Sequence, residues 1–387
     1  MANYISKRGA NVAPSYATTD DLPASTEVGD LVFVGGQLGI AVSGSSYETC
    51  DKTDIVVVYD WTAAAQQAKI EASDAQTGDE FGYSVDISSD TVVAGAWAED
   101  TGGSNAGAAY VFTRSGTSWS QQAKLVSSDI AASDKFGYSV AIDGDTMVAG
   151  ATGEDTGANA AGSAYVFTRS GTTWSQQAKL QASDAQAGDY LGWSVGIDGD
   201  TIVVGAFGED TGGSDAGAAY VFTRSGTTWS QQAKLVASDA GANDQFGRAV
   251  SISSDTVVVG ASLEDAGGTD TGAVYVFTRS GTSWSQQAKL VAGSPNGLDE
   301  FGISVDIDGD SVIMGATKED TGSQDTGAVY IFTRSGTTWS QQKLLKASDV
   351  PAYKRFGWAA AIDGNTAVGT SKLIDSHTGA AYTFLAG

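Results

Sequence analysis

The sequence predicts an all-β fold, a seven-bladed β-propeller of four-stranded antiparallel blades. Three observations carry this reading. A Phe-Gly or Leu-Gly pair recurs every 55 residues, at Phe81-Gly82, Phe136-Gly137, Leu191-Gly192, Phe246-Gly247, Phe301-Gly302 and Phe356-Gly357. Tyr110, Tyr165, Tyr220, Tyr275 and Tyr330 keep that spacing, as do Trp119, Trp174, Trp229, Trp284 and Trp339. Every apolar segment between these markers is short, and units of this length made only of short strands are the signature of a propeller. Dividing 387 residues by the period gives seven units if the divergent first 70 residues count as one.

Each unit reads as four strands. Phe81, Tyr83, Val85 and Ile87 alternate with Gly82, Ser84, Asp86 and Ser88, so the first strand has one bulky and one small face. That asymmetry suits radial packing of one blade's aromatic face on its neighbour's small face. An Asp-Gly-Asp or Ser-Ser-Asp turn follows, as at Asp143-Gly144-Asp145. The second strand, Thr91 to Ala96 and its copies, is apolar on both faces and belongs inside the sheet. A longer loop opens with an acidic pair, the third strand carries Tyr110-Val111-Phe112, and Ser115-Gly116-Thr117 turns into a fourth strand from Trp119 to Leu125. Ser120, Gln122 and Lys124 on one side of that strand place it at the half-solvated outer edge.

The expected organisation is an N-terminal segment, 1–28, and a propeller over 29–387 with blades at 29–72, 73–127, 128–182, 183–237, 238–292, 293–347 and 348–387. The last unit stops before any Trp-Ser-Gln-Gln strand. One period back from Gln66-Gln67-Ala68 lies Asn11-Val12-Ala13, so residues 9–17 are expected to supply the missing outer strand and close the ring by its own termini.

Composition narrows the function. With 21 Lys+Arg against 46 Asp+Glu the net charge is −25, which repels nucleic-acid phosphate and anionic lipid. The single cysteine, Cys50, builds no intrachain disulfide and no Cys-ligated cluster. No signal-like apolar run occupies the first 25 residues and no stretch is long and apolar enough for a spanning helix, so a chain without membrane insertion is expected.

The frame Asp-x-Phe-Gly-x-Ser-Val-x-Ile, then Val-Val-x-Gly-Ala, then Gly-Ala-x-Tyr-Val-Phe, resembles the FG-GAP repeat of integrin-α-like β-propellers over residues 72–384. The resemblance implies the propeller fold and a loop face that binds partners. Integrin-type repeats also carry a calcium loop between the first two strands. Here a turn such as Asp143-Gly144-Asp145 stands in its place, too short to surround calcium with six or more oxygens. Residues Ser15 to Ser25, followed by Gly29 to Val34, resemble an N-terminal module of virion structural proteins of marine tailed phages.

Several residues are candidates for chemistry. The pairs Glu99-Asp100, Glu154-Asp155, Glu209-Asp210, Glu264-Asp265 and Glu319-Asp320 read first as acids that serve loop structure and solubility, then as weak ligands for calcium, and last as acid/base carboxylates. Asp79, Asp134, Asp189, Asp244 and Asp299 are expected to accept backbone N–H bonds at a loop end. His377 is the only histidine, and no nucleophile elbow, zinc-binding helix or phosphate loop accompanies it. The five arginines that stand five residues before a tryptophan suit cation–π contact across a hairpin.

Recognition is expected where the copies differ, on loops of one face. The binding candidates are Trp97, Phe207, Lys318, Tyr353, Lys354, Arg355, Trp358 and Lys372. The function expected is that of a non-enzymatic virion structural or surface protein, a decoration protein or adhesive tip whose partners are other virion subunits or a host-surface receptor. The alternative is a bacterial extracellular adhesin or binding module assisted by calcium.

Overall fold

The computed structural model describes residues 31–34, 37–40, 56–60 and 65–386, apart from 266, 295, 321–323, 348–352 and 375–377. The described elements are all strands. In the first blade, β5 (Phe81–Ser88), β6 (Thr91–Ala96), β7 (Ala108–Ser115) and β8 (Ser118–Leu125) pair in chain order, each antiparallel to the next. The same meander recurs over residues 136–180, 194–235, 246–290 and 301–345.

Six blades are present among the described residues, which corrects the expected seven. Five are four-stranded, and the sixth has three strands, β25 (Phe356–Asp363), β26 (Thr366–Ile374) and β27 (Thr378–Leu385). Among the described residues of 29–72, β1 (Leu31–Val34) pairs with β2 (Gln37–Ile40) and β3 (Val56–Asp60) with β4 (Ala65–Ile70), and no ladder joins the two pairs into one sheet. Division by the period gave this segment the weight of a blade, although it lacks, in register with them, the Phe-Gly or Leu-Gly pair that opens each of the other six. The expected closing strand at 9–17 lies outside the described residues.

Why the repeat needs Phe-Gly and Gly-Ala is visible where blades meet. A Cβ placed on Gly205 would lie 1.9 Å from the carbonyl oxygen of Gly247 in the next blade, and Gly247 itself has φ +92°. The backbones thus touch at a point where no side chain fits. Beside them, Phe246 N–H donates to the Ala216 carbonyl at 2.9 Å, and Gly217 bridges Phe246 in parallel. The aromatic face of the later blade (Phe246, Tyr275, Phe277) packs on Val203, Ala219 and Val221 of the earlier one, as radial packing requires.

Polar side chains bind the seams further. Ser84 Oγ and Asp86 Oδ2 accept the N–H groups of Val140 and Ile142 in the next blade, at 3.0 and 2.7 Å. At the outer edge, β8 bulges at Gln122, between the Val111–Ala123 and Phe112–Gln121 pairs. The bulge turns Gln122 toward its neighbour, where it accepts Trp174 Nε1–H at 2.7 Å. Gln121 accepts the Ser73 N–H at 2.9 Å, so both glutamines of the hairpin are seam residues. Arg169 holds Asp145 at 2.7 Å, reaches Thr91 of the preceding blade at 3.0 Å and lies 5.1 Å from the Trp174 ring.

Candidate functional site

Two ends of the blades must be distinguished. Strand turns such as 88–90 and the Arg-Trp hairpins occupy one face. The blade-to-blade loops and the acidic loops occupy the other. A groove of about 420 Å³ opens on the first face, lined by Asp198, Asp200, Arg224, Asp255 and Arg279 among others. Both of its arginines are already paired, since Arg224 holds Asp200 at 2.6 Å and Arg279 holds Asp255 at 2.7 Å.

On the second face, the first acid of each pair is buried in a repeated polar network, while the second is exposed. In the third blade Glu209 is buried, 2% exposed. Lys234 Nζ donates to Glu209 at 2.8 Å, to Asp184 at 2.6 Å and to Thr211 at 2.9 Å, and Tyr220 O–H donates to Asp184 at 2.9 Å. Lys124 and Lys179 make the same contacts with Asp74, Glu99 and Thr101 and with Asp129, Glu154 and Thr156, and Lys289 holds Asp239 and Glu264. Burial would raise the Asp184 pKa, but the bonds from Lys234 and Tyr220 outweigh it and hold the carboxyl below its ordinary value. The second acid of each pair closes its own loop: Asp100, Asp155, Asp210, Asp265 and Asp320 accept the backbone N–H five residues on, at 2.6–2.9 Å. The fifth blade departs, with Ser294 and Leu344 where the others have Asp and Lys. There Lys346 approaches Glu319 at 3.3 Å instead.

Asp79, Asp134, Asp189, Asp244 and Asp299 are buried and accept the N–H three residues before them, at 2.7–2.8 Å. Burial, with neighbouring carboxylates, pushes Asp189 and Asp299 up to about 6. Among the described residues no group of three or more His, Cys, Asp or Glu is placed to hold a metal ion.

The side chains that differ from copy to copy converge elsewhere, on the inner strands. The third residue of each Phe-Gly-x frame is Tyr83, Tyr138, Trp193, Arg248, Ile303 or Trp358. Tyr83 O–H donates to Tyr138 Oη at 3.0 Å, and the Tyr138 ring lies 4.7 Å from Trp193. Arg248 lies 5.8 Å from the Trp193 ring, and its charge is felt by Tyr83, three blades away, so these residues meet around the axis. Trp97 joins through Tyr83 at 5.9 Å and Tyr138 at 6.4 Å, with Lys135 Nζ 5.7 Å from its ring. Phe207 stacks on Tyr190 at 5.3 Å and meets Trp193 edge-on at 4.4 Å.

Burial pushes the Tyr138 phenol up to about 12 and lowers the Arg248 pKa from its ordinary value. Three N–H groups of the cluster, Trp97 Nε1, Trp193 Nε1 and Arg248 Nε, are buried without an acceptor among the described residues.

The sequence candidates divide accordingly. Trp97 and Phe207 belong to the axial cluster, and Trp358 holds the corresponding position in the sixth blade. Lys318 borders the cluster in an ion pair with Glu300 at 2.7 Å, and Arg355 faces the same carboxylate. Tyr353 is exposed on the loop before β25 and donates to Gln324 at 2.6 Å, while Lys354 is half-buried there. The side chain of Lys372 and the whole of His377 lie outside the described residues. Tyr83, Tyr138, Trp193 and Arg248 were hidden in the strand alternation, which assigns them to blade packing. Their signal is variation: one position changes between Tyr, Trp, Arg and Ile inside an otherwise repeated frame.

No curated protein matches the chain. The FG-GAP repeat family matches residues 64–112, 119–167, 174–222, 229–277, 284–332 and 339–384, three quarters of the sequence. Each match runs from an outer strand through the first three strands of the following blade, and on that correspondence the chain belongs to the FG-GAP repeat family.

Proposed function

We propose that this protein is a non-enzymatic binding or adhesion module that receives its ligand at the axial cluster on the acidic-loop face. The observation that carries the reading is where the copies differ. Seams, hairpins and acidic networks are near-identical from blade to blade, whereas Tyr83, Tyr138, Trp193 and Arg248, with Trp97 and Phe207 beside them, vary and meet. Packing alone asks for no such variety, and loops and strand ends on a rigid scaffold are where recognition resides. A propeller scaffold hosts many activities, so the site and not the fold supports the reading. The acidic pairs have structural roles in it, and calcium is dispensable for folding.

The setting we propose is a virion surface facing other subunits or a host-cell receptor; it rests on the resemblance of residues 15–34 alone. Detection of the chain in purified phage particles tests that setting. The site is tested separately by probing an array of polysaccharides and surface proteins with the labelled protein. The parent is expected to retain a set of ligands that the Trp193→Ala/Arg248→Ala variant loses with its melting curve intact. Equal binding by both proteins refutes the axial site.

A further inference from the structure

We infer that the axial cluster recognises a sugar ring bearing a carboxylate, such as a uronic or sialic acid unit of a surface polysaccharide. The inference deepens the axial-site reading above and rests on it.

The cluster is rich in donors and poor in acceptors. Trp97 Nε1, Trp193 Nε1 and Arg248 Nε have no acceptor. Tyr138 accepts from Tyr83, which leaves its own proton to be given outward. These four donors stand on four successive blades, so their acceptors must be spread around a ring rather than gathered at one atom. A buried donor left without a partner is unfavourable, and a ligand oxygen relieves it.

Charge narrows the class. Arg114, Arg169, Arg224, Arg279 and Arg334 each hold an aspartate at 2.5–2.7 Å. Arg248 instead bonds the neutral Gln245, and the nearby Glu300 is engaged by Lys318 at 2.7 Å and Thr317 at 2.6 Å. A desolvated guanidinium without a carboxylate partner, in a chain of net charge −25, calls for an anion from outside. The half-buried faces of Tyr83, Trp97, Trp193 and Phe207 supply apolar surface for the C–H face of a ring. A hydroxylated ring offers acceptors in several directions, whereas a peptide carboxylate presents two oxygens in one plane.

Titration calorimetry and tryptophan fluorescence with trigalacturonate and with sialyllactose test this. At least one should bind saturably, and its uncharged counterpart, the methyl ester of the same sugar, about tenfold more weakly. Arg248→Gln should bring the acid down to its neutral counterpart, and Trp193→Phe, which keeps the ring and removes the N–H, should weaken both. Equal binding of acid and neutral sugar overturns the carboxylate while leaving the axial site standing. Equal binding of polyglutamate reassigns the ligand to a peptide. Failure of both sugars overturns the sugar class, and if the array ligands also survive Trp193→Ala/Arg248→Ala the axial site falls with it.

Discussion

Replacing Lys234 by Met removes the cation that Asp184 and Glu209 share, at 2.6 and 2.8 Å. Met fills the same stem but donates nothing. Glu209, 2% exposed, is then stranded near a second carboxylate, though it keeps the Thr211 N–H at 2.9 Å and O–H at 2.7 Å. Breaking a buried pair costs about 3–5 kcal/mol. Because Lys234 and Asp184 are partly exposed, the lower end applies, about 3 kcal/mol, or a fall in Tm of about 4 °C for a chain of 387 residues. Urea and thermal unfolding read the loss directly.

Two controls separate the charge argument from packing. The deficit should shrink as pH falls, because the Lys234 bond that holds Asp184 below its ordinary pKa in the parent stabilises only the charged carboxylate. It should also be relieved by copying the fifth blade, where Ser294, Leu344 and Lys346 replace the usual Asp, Lys and apolar residue. The matching variant is Asp184→Ser/Lys234→Leu/Val236→Lys. A deficit below about 1 kcal/mol, the range of an exposed ion pair, or one unchanged as pH falls, would show the network to be superficial.

Asp306 is fully enclosed and accepts Ser251 O–H, Ile307 N–H and Ile362 N–H at 2.8–3.0 Å; burial pushes its pKa from 3.8 up to about 7. The folded state therefore holds a proton that the unfolded chain has lost. Its contribution is fully present below about pH 4 and disappears as pH rises to about 7, about 4 kcal/mol in all. Asp306→Asn should flatten that stretch of the pH profile, although its amide nitrogen cannot accept the N–H or O–H bonds that one Asp306 oxygen takes; an unchanged slope refutes the assignment. Gly205→Ala should cost about 3 kcal/mol by forcing a methyl group onto the Gly247 carbonyl, and a melting curve like the parent's would contradict the seam geometry. Melting in calcium and in excess chelator should coincide, and a drop of many degrees in chelator would reveal ions bound at the acidic loops.

The period, the strand order and the outer position of the Trp-Ser-Gln-Gln strand were legible because each is written six times or nearly so. The blade count was not, because arithmetic on length cannot tell a blade from hairpins that lack the Phe-Gly contact. Trp97 and Phe207 were legible as variable loop residues. Tyr83, Tyr138, Trp193 and Arg248 were not, since period-two alternation records which face a side chain takes and not how near the axis it stands. Lys124 looked solvated for a related reason: the pattern shows a charge on an edge strand, while its partners Asp74 and Glu99 come from loops 50 and 25 residues away.

The four seams among the five four-stranded blades are assembled from the same parts, with Gly against Gly, Trp on Gln, and Ser or Asp on a backbone N–H. An edge made this way does not distinguish its proper neighbour from the blade one period further along. During folding the chain can therefore join edges a whole unit out of step with little local penalty, a trap characteristic of repeated modules. What makes such an error costly is the part that is not repeated. Only one order of blades brings Tyr83 to Tyr138, Tyr138 to Trp193 and Arg248 over Trp193. The residues that vary for a ligand thus also number the blades, and making them uniform should slow refolding even where it leaves the finished fold as stable as before.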